Sequence, residues 1–182
     1  TLRLDMKVCK IYRVQRRVIA EDGTEAPYDR LLLATGSNPF ILPIPGNDLP
    51  GVISYRDIHD TDSMIDAAKR YRHAVVIGGG LLGLEAANGL KLRGMDVTVI
   101  HLADWLLERQ LDQTAGRMLQ KSLEDRGLKF LLGRQTEMLI AGESGRVAAL
   151  RLKDGAQIPA DLVVMAVGIR PETRIATDAH LE

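Results

Sequence analysis

The sequence predicts an α/β protein with a parallel β-sheet and, after it, an antiparallel β-meander. Short apolar runs, which suit strands buried on both faces, alternate with longer segments that have a helical pattern. From residue 136 onward, short strands are separated by glycine-containing turns. The buried strands are predicted at 74–77, 96–100, 129–132 and 162–166, the helices at 81–93 and 112–126, and the meander at 136–160.

Composition argues against several kinds of partner. The 182 residues contain 24 Lys+Arg and 24 Asp+Glu, and aromatic residues make up 4%, so a nucleic-acid-binding surface is not expected. Cys9 is the single cysteine and the histidines are scattered, so neither a disulfide nor a metal site is predicted. No apolar run approaches the roughly 18 residues of a membrane span. We therefore expect a cytoplasmic protein with no membrane partner.

The segments before the first buried strand are shorter and more varied. Two short strands are predicted within 8–18, followed by a turn at Asp22-Gly23. The apolar run 31–34 is predicted to form another buried strand. A proline-rich linker is predicted at 39–50, and a helix is expected to start at Asp60 or Thr61.

The segment from Gly78 to Gly83 satisfies the pattern G-x-G-x-x-G between a predicted strand and a predicted helix. In this context Gly78 permits a tight turn, Gly80 permits close approach of a pyrophosphate, and Gly83 permits close helix packing. A tight turn that binds nothing is the alternative. The motif predicts a nicotinamide dinucleotide site formed by Gly78, Gly79, Gly80, Leu81, Leu82 and Gly83.

Two later side chains are candidates for contacts with the same nucleotide. Glu85 is placed to bond the nicotinamide ribose or carboxamide, or else it only supports the helix N-terminus. His101 follows the second strand, where NAD sites usually hold an acid that bonds the adenosine ribose. Because neutral histidine lacks that charge, we expect a modest NADH preference that narrows when His101 is protonated. Arg109 is either a 2′-phosphate partner or an exposed charge.

Residues 18–39 resemble residues 150–171 in register, without a gap. This repeat predicts two similar nucleotide-binding halves, of which the second carries the glycine motif. The counterpart of that motif would lie upstream of Thr1, so we expect roughly fifty or more preceding residues in a parent chain. The matched positions are Asp22-Gly23 with Asp154-Gly155, Pro27 with Pro159, Asp29 with Asp161, Ala34 with Ala166, Gly36 with Gly168, and Pro39 with Pro171.

Three segments carry a family resemblance: 28–37, 78–85 and 161–171. Together they resemble the flavin-dependent pyridine nucleotide–disulfide oxidoreductase superfamily. Within it, residues 79–87 and 101–112 are similar to the large subunit of assimilatory NAD(P)H nitrite reductase, which is related to rubredoxin and ferredoxin reductases. The resemblance covers essentially the whole chain.

The resemblance implies a domain organisation. Residues 1–40 would be part of a split FAD domain, 45–166 the NAD(P) domain, and 167–182 the start of the returning FAD segment. Ala34, Thr35 and Gly36 would lie near the flavin nucleotide, and Gly168 near the nicotinamide nucleotide. Phe40 stands where many relatives have an arginine that contacts FAD.

The resemblance also implies a function. NAD(P)H would pass hydride to FAD in the parent enzyme, and the missing FAD and redox domains would be the partners of this part. No catalytic side chain is predicted within the 182 residues, and they are not expected to hold FAD or to reduce nitrite by themselves. The alternatives are part of a ferredoxin or rubredoxin reductase, and a non-catalytic dinucleotide-binding module.

Overall fold

The computed structural model describes residues 1–181 and divides the chain into two compact units. The first unit comprises Thr1–Asn38 and the segment that begins at Arg170, and the second is Pro39–Ile169. Glu182, the last residue of the predicted segment 167–182, lies outside the described residues. The assignment of these parts to FAD and NAD(P) domains stays a prediction.

The helices and strands follow one another along the chain from Val8 to Asp178. In chain order they are β1 (Val8–Tyr12), β2 (Arg17–Ala20), β3 (Glu25–Pro27), β4 (Ser37–Pro39), β5 (Val52–Ser54), α1 (Ile58–Ala68), β6 (His73–Ile77), α2 (Leu81–Leu92), β7 (Asp96–Ile100), α3 (Gln113–Glu124), β8 (Lys129–Leu131), β9 (Thr136–Ala141), β10 (Val147–Leu152), β11 (Gln157–Pro159), β12 (Leu162–Met165), β13 (Ile169–Pro171) and α4 (Arg174–Asp178).

The second unit is built on a five-stranded parallel sheet with the order β5-β12-β6-β7-β8. Alternate side chains of β6 serve opposite faces, since Val76 packs with the helices while Val75 packs with the meander. Burial on both faces explains why β12 and residues 74–77 of β6 are continuously apolar. The predicted α/β fold, with a Rossmann-like parallel sheet, is therefore confirmed.

The antiparallel meander is also confirmed, as the three-stranded sheet β11-β10-β9. Buried leucines from its strands, including Leu139 and Leu150, pack against the face of the parallel sheet that the helices leave uncovered. In the first unit, β1, β2 and β3 form a second three-stranded antiparallel sheet. The two sheets carry matching turns, because the Asp22 carboxylate accepts from Thr24 N and that of Asp154 accepts from Ala156 N.

Three predicted elements of the N-terminal part are wrong in detail. Residues 31–34 form no strand and are exposed, because no strand among residues 1–181 pairs with them. Helix α1 starts earlier than predicted, since Asp57 is its N-cap and Asp60 completes the capping box from inside the helix. The segment 39–50 is more than a linker, because Leu42, Ile44 and Leu49 pack against the core beneath the meander.

None of the helices described within residues 1–181 is long and apolar enough to cross a membrane.

Asp161 joins the amino ends of β6 and β12. Its Oδ2 atom accepts from His73 N at 2.8 Å and from Arg72 N at 3.2 Å, and it lies 3.3 Å from His73 Nδ1. Burial raises the pKa of this carboxyl, but the hydrogen bonds from His73 and Arg72 outweigh it and hold the pKa below its ordinary value. The ionised carboxylate is therefore the form that stabilises the fold.

We expect Asp161→Asn to lower the free energy of unfolding by about 1 kcal/mol at neutral pH. Because the pKa is lower in the folded state, this stabilisation is present above about pH 4 and is lost as pH falls through the folded value. Urea unfolding of both proteins at pH 7 and pH 3 tests this. Glu143→Gln, in an exposed turn, controls for the change of charge. An equal loss at both pH values would contradict the role of the ionised carboxylate.

Candidate functional site

The glycine motif forms the turn from β6 into α2, and at two of its glycines a Cβ would overlap the protein backbone. Gly78 has φ +118°, and a Cβ there would overlap the carbonyl oxygen of Ala166. A Cβ on Gly83 would overlap the carbonyl oxygen of Gly78. These two positions therefore let the turn lie against the end of β12 and let α2 pack directly on the turn.

Gly80 is different, because the fold does not need a glycine there. It is the N-cap of α2 with φ −83°, a conformation open to any residue. A Cβ built on Gly80 would meet nothing within 4 Å. The residue therefore fits the place where a bound molecule, rather than the protein, needs close access to the backbone.

The start of α2 also suits an anion. Gly80 offers no side-chain cap, and the first turn contains no acidic residue. The N–H groups of this turn have no acceptor one turn earlier in the helix, and the helix dipole adds partial positive charge. By contrast, α1 and α3 are capped by the carboxylates of Asp57 and Asp112. A phosphate at the start of α2 would meet backbone donors without displacing a protein carboxylate.

His101 directly follows β7 and contacts the glycine motif. Its Nδ1 atom accepts from Gly79 N at 3.1 Å, and its Nε2 atom lies 2.9 Å from Glu108 Oε2. Because Nδ1 is the acceptor, the ring proton resides on Nε2, which donates to Glu108. Both ring nitrogens are thus engaged by the protein, and the side chain is 11% exposed. That His101 itself contacts the ribose stays a prediction.

The loop after His101 is fastened to the same turn. Leu107 N donates to Gly79 O at 3.2 Å, and Leu106 and Leu107 are buried. Leu107 has φ +55°, a left-handed conformation that is unfavourable for leucine. The next residue is Glu108, which the sequence did not single out. Neither the strand-end rule nor the motif covers a carboxylate seven residues beyond His101.

The remaining predicted site residues fall into two groups. In the second unit, Glu85 is exposed on α2, and Gly168, with φ +122°, lies just beyond the carboxyl end of β12. The motif, His101 and Gly168 are thus brought to one edge of the parallel sheet. In the first unit, Thr35 Oγ1 donates to Glu172 O, and Gly36 O accepts from Glu172 N. Ala34 is exposed beside them.

The contacts predicted for these residues with nucleotides stay predictions. Within residues 1–181, no group of three or more His, Cys, Asp or Glu side chains is placed to hold a metal ion.

In this chain a strand of a parallel sheet is followed by a glycine-rich turn and by a helix whose N-terminus has no side-chain cap. This is the architecture of dinucleotide-binding α/β proteins. The family model described as pyridine nucleotide-disulphide oxidoreductase matches residues 1–182. The chain belongs to that family, as the resemblance of its sequence motifs predicted.

Two curated relatives from Bacillus subtilis (strain 168) extend this result. The chain is 58% identical over 174 residues to nitrite reductase [NAD(P)H], covering 96% of this chain and 21% of the relative. It is 44% identical to the assimilatory nitrate reductase electron transfer subunit, covering 100% of this chain and 23% of that protein. The chain thus spans about a fifth of the length of these relatives.

Solved structures give the same fold. A ferredoxin reductase from Rhodopseudomonas palustris superposes with a TM-score of 0.93 at 30% identity, covering 98% of this chain and 44% of that one. An FAD-dependent pyridine nucleotide-disulphide oxidoreductase from Desulfovibrio vulgaris gives a TM-score of 0.84 at 32% identity, covering 98% of this chain and 46% of that one. The predicted resemblance to nitrite reductase and to ferredoxin reductases is confirmed.

Proposed function

We propose that this chain binds NAD(P)H at the turn between β6 and α2 and is the part of a nitrite reductase large subunit where electrons enter. The observation that carries the proposal is the open space beside Gly80, where a Cβ would meet no protein atom within 4 Å. The 58% identity to nitrite reductase [NAD(P)H] supports that parent enzyme.

Different residues at the edge of the sheet bind different parts of the dinucleotide. The first-turn N–H groups of α2 bind the pyrophosphate, and Gly80 lets it approach the backbone. Glu85 bonds the nicotinamide ribose or carboxamide. Gly168 lies near the nicotinamide nucleotide, beyond the end of β12. Bound NAD(P)H would supply a hydride, which carries two electrons and a proton, for transfer to FAD in the parent enzyme.

The first unit is proposed to belong to the FAD-binding part of the parent enzyme. Ala34, Thr35 and Gly36 would lie near the flavin nucleotide, with the Thr35 hydroxyl and the Gly36 carbonyl held by the backbone of Glu172. The sequence contains one G-x-G-x-x-G motif, and the dinucleotide proposal already uses it. We therefore do not expect the 182 residues to retain FAD by themselves.

A ferredoxin reductase is the second candidate for the parent enzyme, because the structural likeness to that class reaches a TM-score of 0.93. The two candidates differ in where the flavin sends its electrons. A nitrite reductase requires cysteines for its siroheme and iron–sulfur groups in the same protein, whereas a ferredoxin reductase passes electrons to a separate carrier. The sequence of the parent reading frame therefore distinguishes them.

Isothermal titration of the 182-residue chain with NADH, NADPH and FAD tests the binding proposal. We expect both nicotinamide nucleotides to bind, since the phosphate cradle lies within one strand–turn–helix unit, and we expect no binding of FAD. Backbone NMR should place the largest shifts at Gly79, Gly80 and Leu81. Failure of both nicotinamide nucleotides to bind would refute the proposal. Copurification of stoichiometric flavin would refute the expectation for FAD.

A further inference from the structure

The hydrogen bond between His101 and Glu108 belongs to a longer chain of hydrogen bonds. The imidazole forms a hydrogen bond at each ring nitrogen. Gly79 N donates to Nδ1 at 3.1 Å, and Nε2 donates to Glu108 Oε2 at 2.9 Å. The His101 backbone is fixed as well, because its N–H donates to Leu131 O and its carbonyl accepts from Arg134 N. The hydrogen bonds at both ring nitrogens and at the backbone therefore fix the orientation of the ring.

Of the two side chains, Glu108 keeps the capacity to bind a ligand. A carboxylate offers about four acceptor sites, and the bond to His101 uses one of them. The Glu108 side chain is 34% exposed, against 11% for His101. Among residues 1–181, no lysine or arginine forms an ion pair with Glu108. A negative charge with free acceptors is thus held beside the carboxyl end of β7.

That location is where dinucleotide-binding folds place the acid that bonds the adenosine ribose. Here the strand-end residue is His101, which carries no negative charge and has both nitrogens engaged. We propose, on the basis of the function proposed above, that Glu108 is the ribose-binding acid of this site and that His101 is its positioning residue. The carboxylate accepts from the ribose 2′-hydroxyl and repels a 2′-phosphate, so it favours NADH over NADPH.

Replacing Glu108 with glutamine tests the charge while preserving shape and the acceptor for His101 Nε2. We expect the ratio of the NADPH to the NADH dissociation constant to fall about tenfold relative to the wild type, measured by calorimetry. Asp104→Asn is the matched control, because it removes one negative charge from the same exposed loop and should leave the ratio unchanged.

The outcomes separate this inference from the function on which it rests. If Glu108→Gln leaves the ratio unchanged while the wild type binds both nucleotides, the role of Glu108 is wrong and the dinucleotide site stands. An equal effect of Asp104→Asn would also refute that role, since general loop charge would then explain the ratio. If the wild type binds neither nucleotide, the proposed function itself fails.

The positioning role of His101 has its own readouts. Nitrogen-15 NMR should show the tautomer with the proton on Nε2, and a proton on Nδ1 would contradict the arrangement. His101→Gln retains a side-chain N–H donor and should keep most of the nucleotide selectivity, whereas His101→Leu should lose about tenfold. Equal selectivity in both variants would show that His101 does not position Glu108.

Discussion

Replacing Gly80 with valine is expected to abolish dinucleotide binding while the fold stays intact. The φ angle of −83° suits valine, and the new side chain would meet no protein atom near its Cβ. It would instead occupy the space that a pyrophosphate needs above the first turn of α2. We expect the affinity for NADH to fall at least about 100-fold, or 2.7 kcal/mol, by calorimetric titration.

Two further measurements make this result specific. Urea unfolding should give nearly the same free energy for Gly80→Val as for the wild type. Gly89→Ala, in the middle of the same helix and with nothing within 4 Å of its Cβ, should bind NADH normally. NADH affinity unchanged by Gly80→Val would mean that the glycine turn is only structural.

Gly83→Ala is expected to have the largest effect on stability, although it adds one methyl group. That methyl would overlap the carbonyl oxygen of Gly78, so α2 would have to move away from β6. The shift would disturb Ala87 and Leu90, which are fully buried against the sheet. We expect the free energy of unfolding to fall by about 3 kcal/mol or more. Urea unfolding followed by circular dichroism measures the loss.

The same substitution elsewhere in α2 provides the comparison. Gly89→Ala has room for its methyl group and should stabilise the chain by about 0.5–1 kcal/mol, because alanine is the better helix former. If both variants have the stability of the wild type, α2 is not packed on the glycine turn as closely as the structure shows.

The repeat within this chain shows what a sequence pattern can and cannot predict. The apolar runs at 31–34 and 162–166 have similar composition, and both are predicted to be buried strands. The second contains β12, which lies between β5 and β6, while the first is exposed and unpaired among the described residues. Local apolar character indicates that a segment can be a buried strand, but the neighbouring strands decide whether it becomes one.

The candidate site was likewise predictable only in part. The glycine turn follows from local rules, so its position between β6 and α2 could be predicted from the motif. The approach of Glu108 to His101 could not, because it depends on the path of a loop that turns through Leu107 at φ +55°. No residue-type preference indicates a left-handed leucine. Asp57 and Asp60 are both suitable N-cap residues, so the sequence alone did not indicate that Asp57 is the cap of α1.

The contact between Gly79 and His101 makes substitutions at the two positions depend on each other. The motif treats residue 79 as freely variable, yet a Cβ there would lie 2.8 Å from His101 Cγ and 2.9 Å from Leu106 Cδ2. A mutation to alanine at 79 is therefore harmful in the presence of this histidine and becomes acceptable only after the ring is replaced and Leu106 adjusts. The two positions are therefore epistatic, because the cost of a side chain at 79 depends on whether residue 101 is histidine.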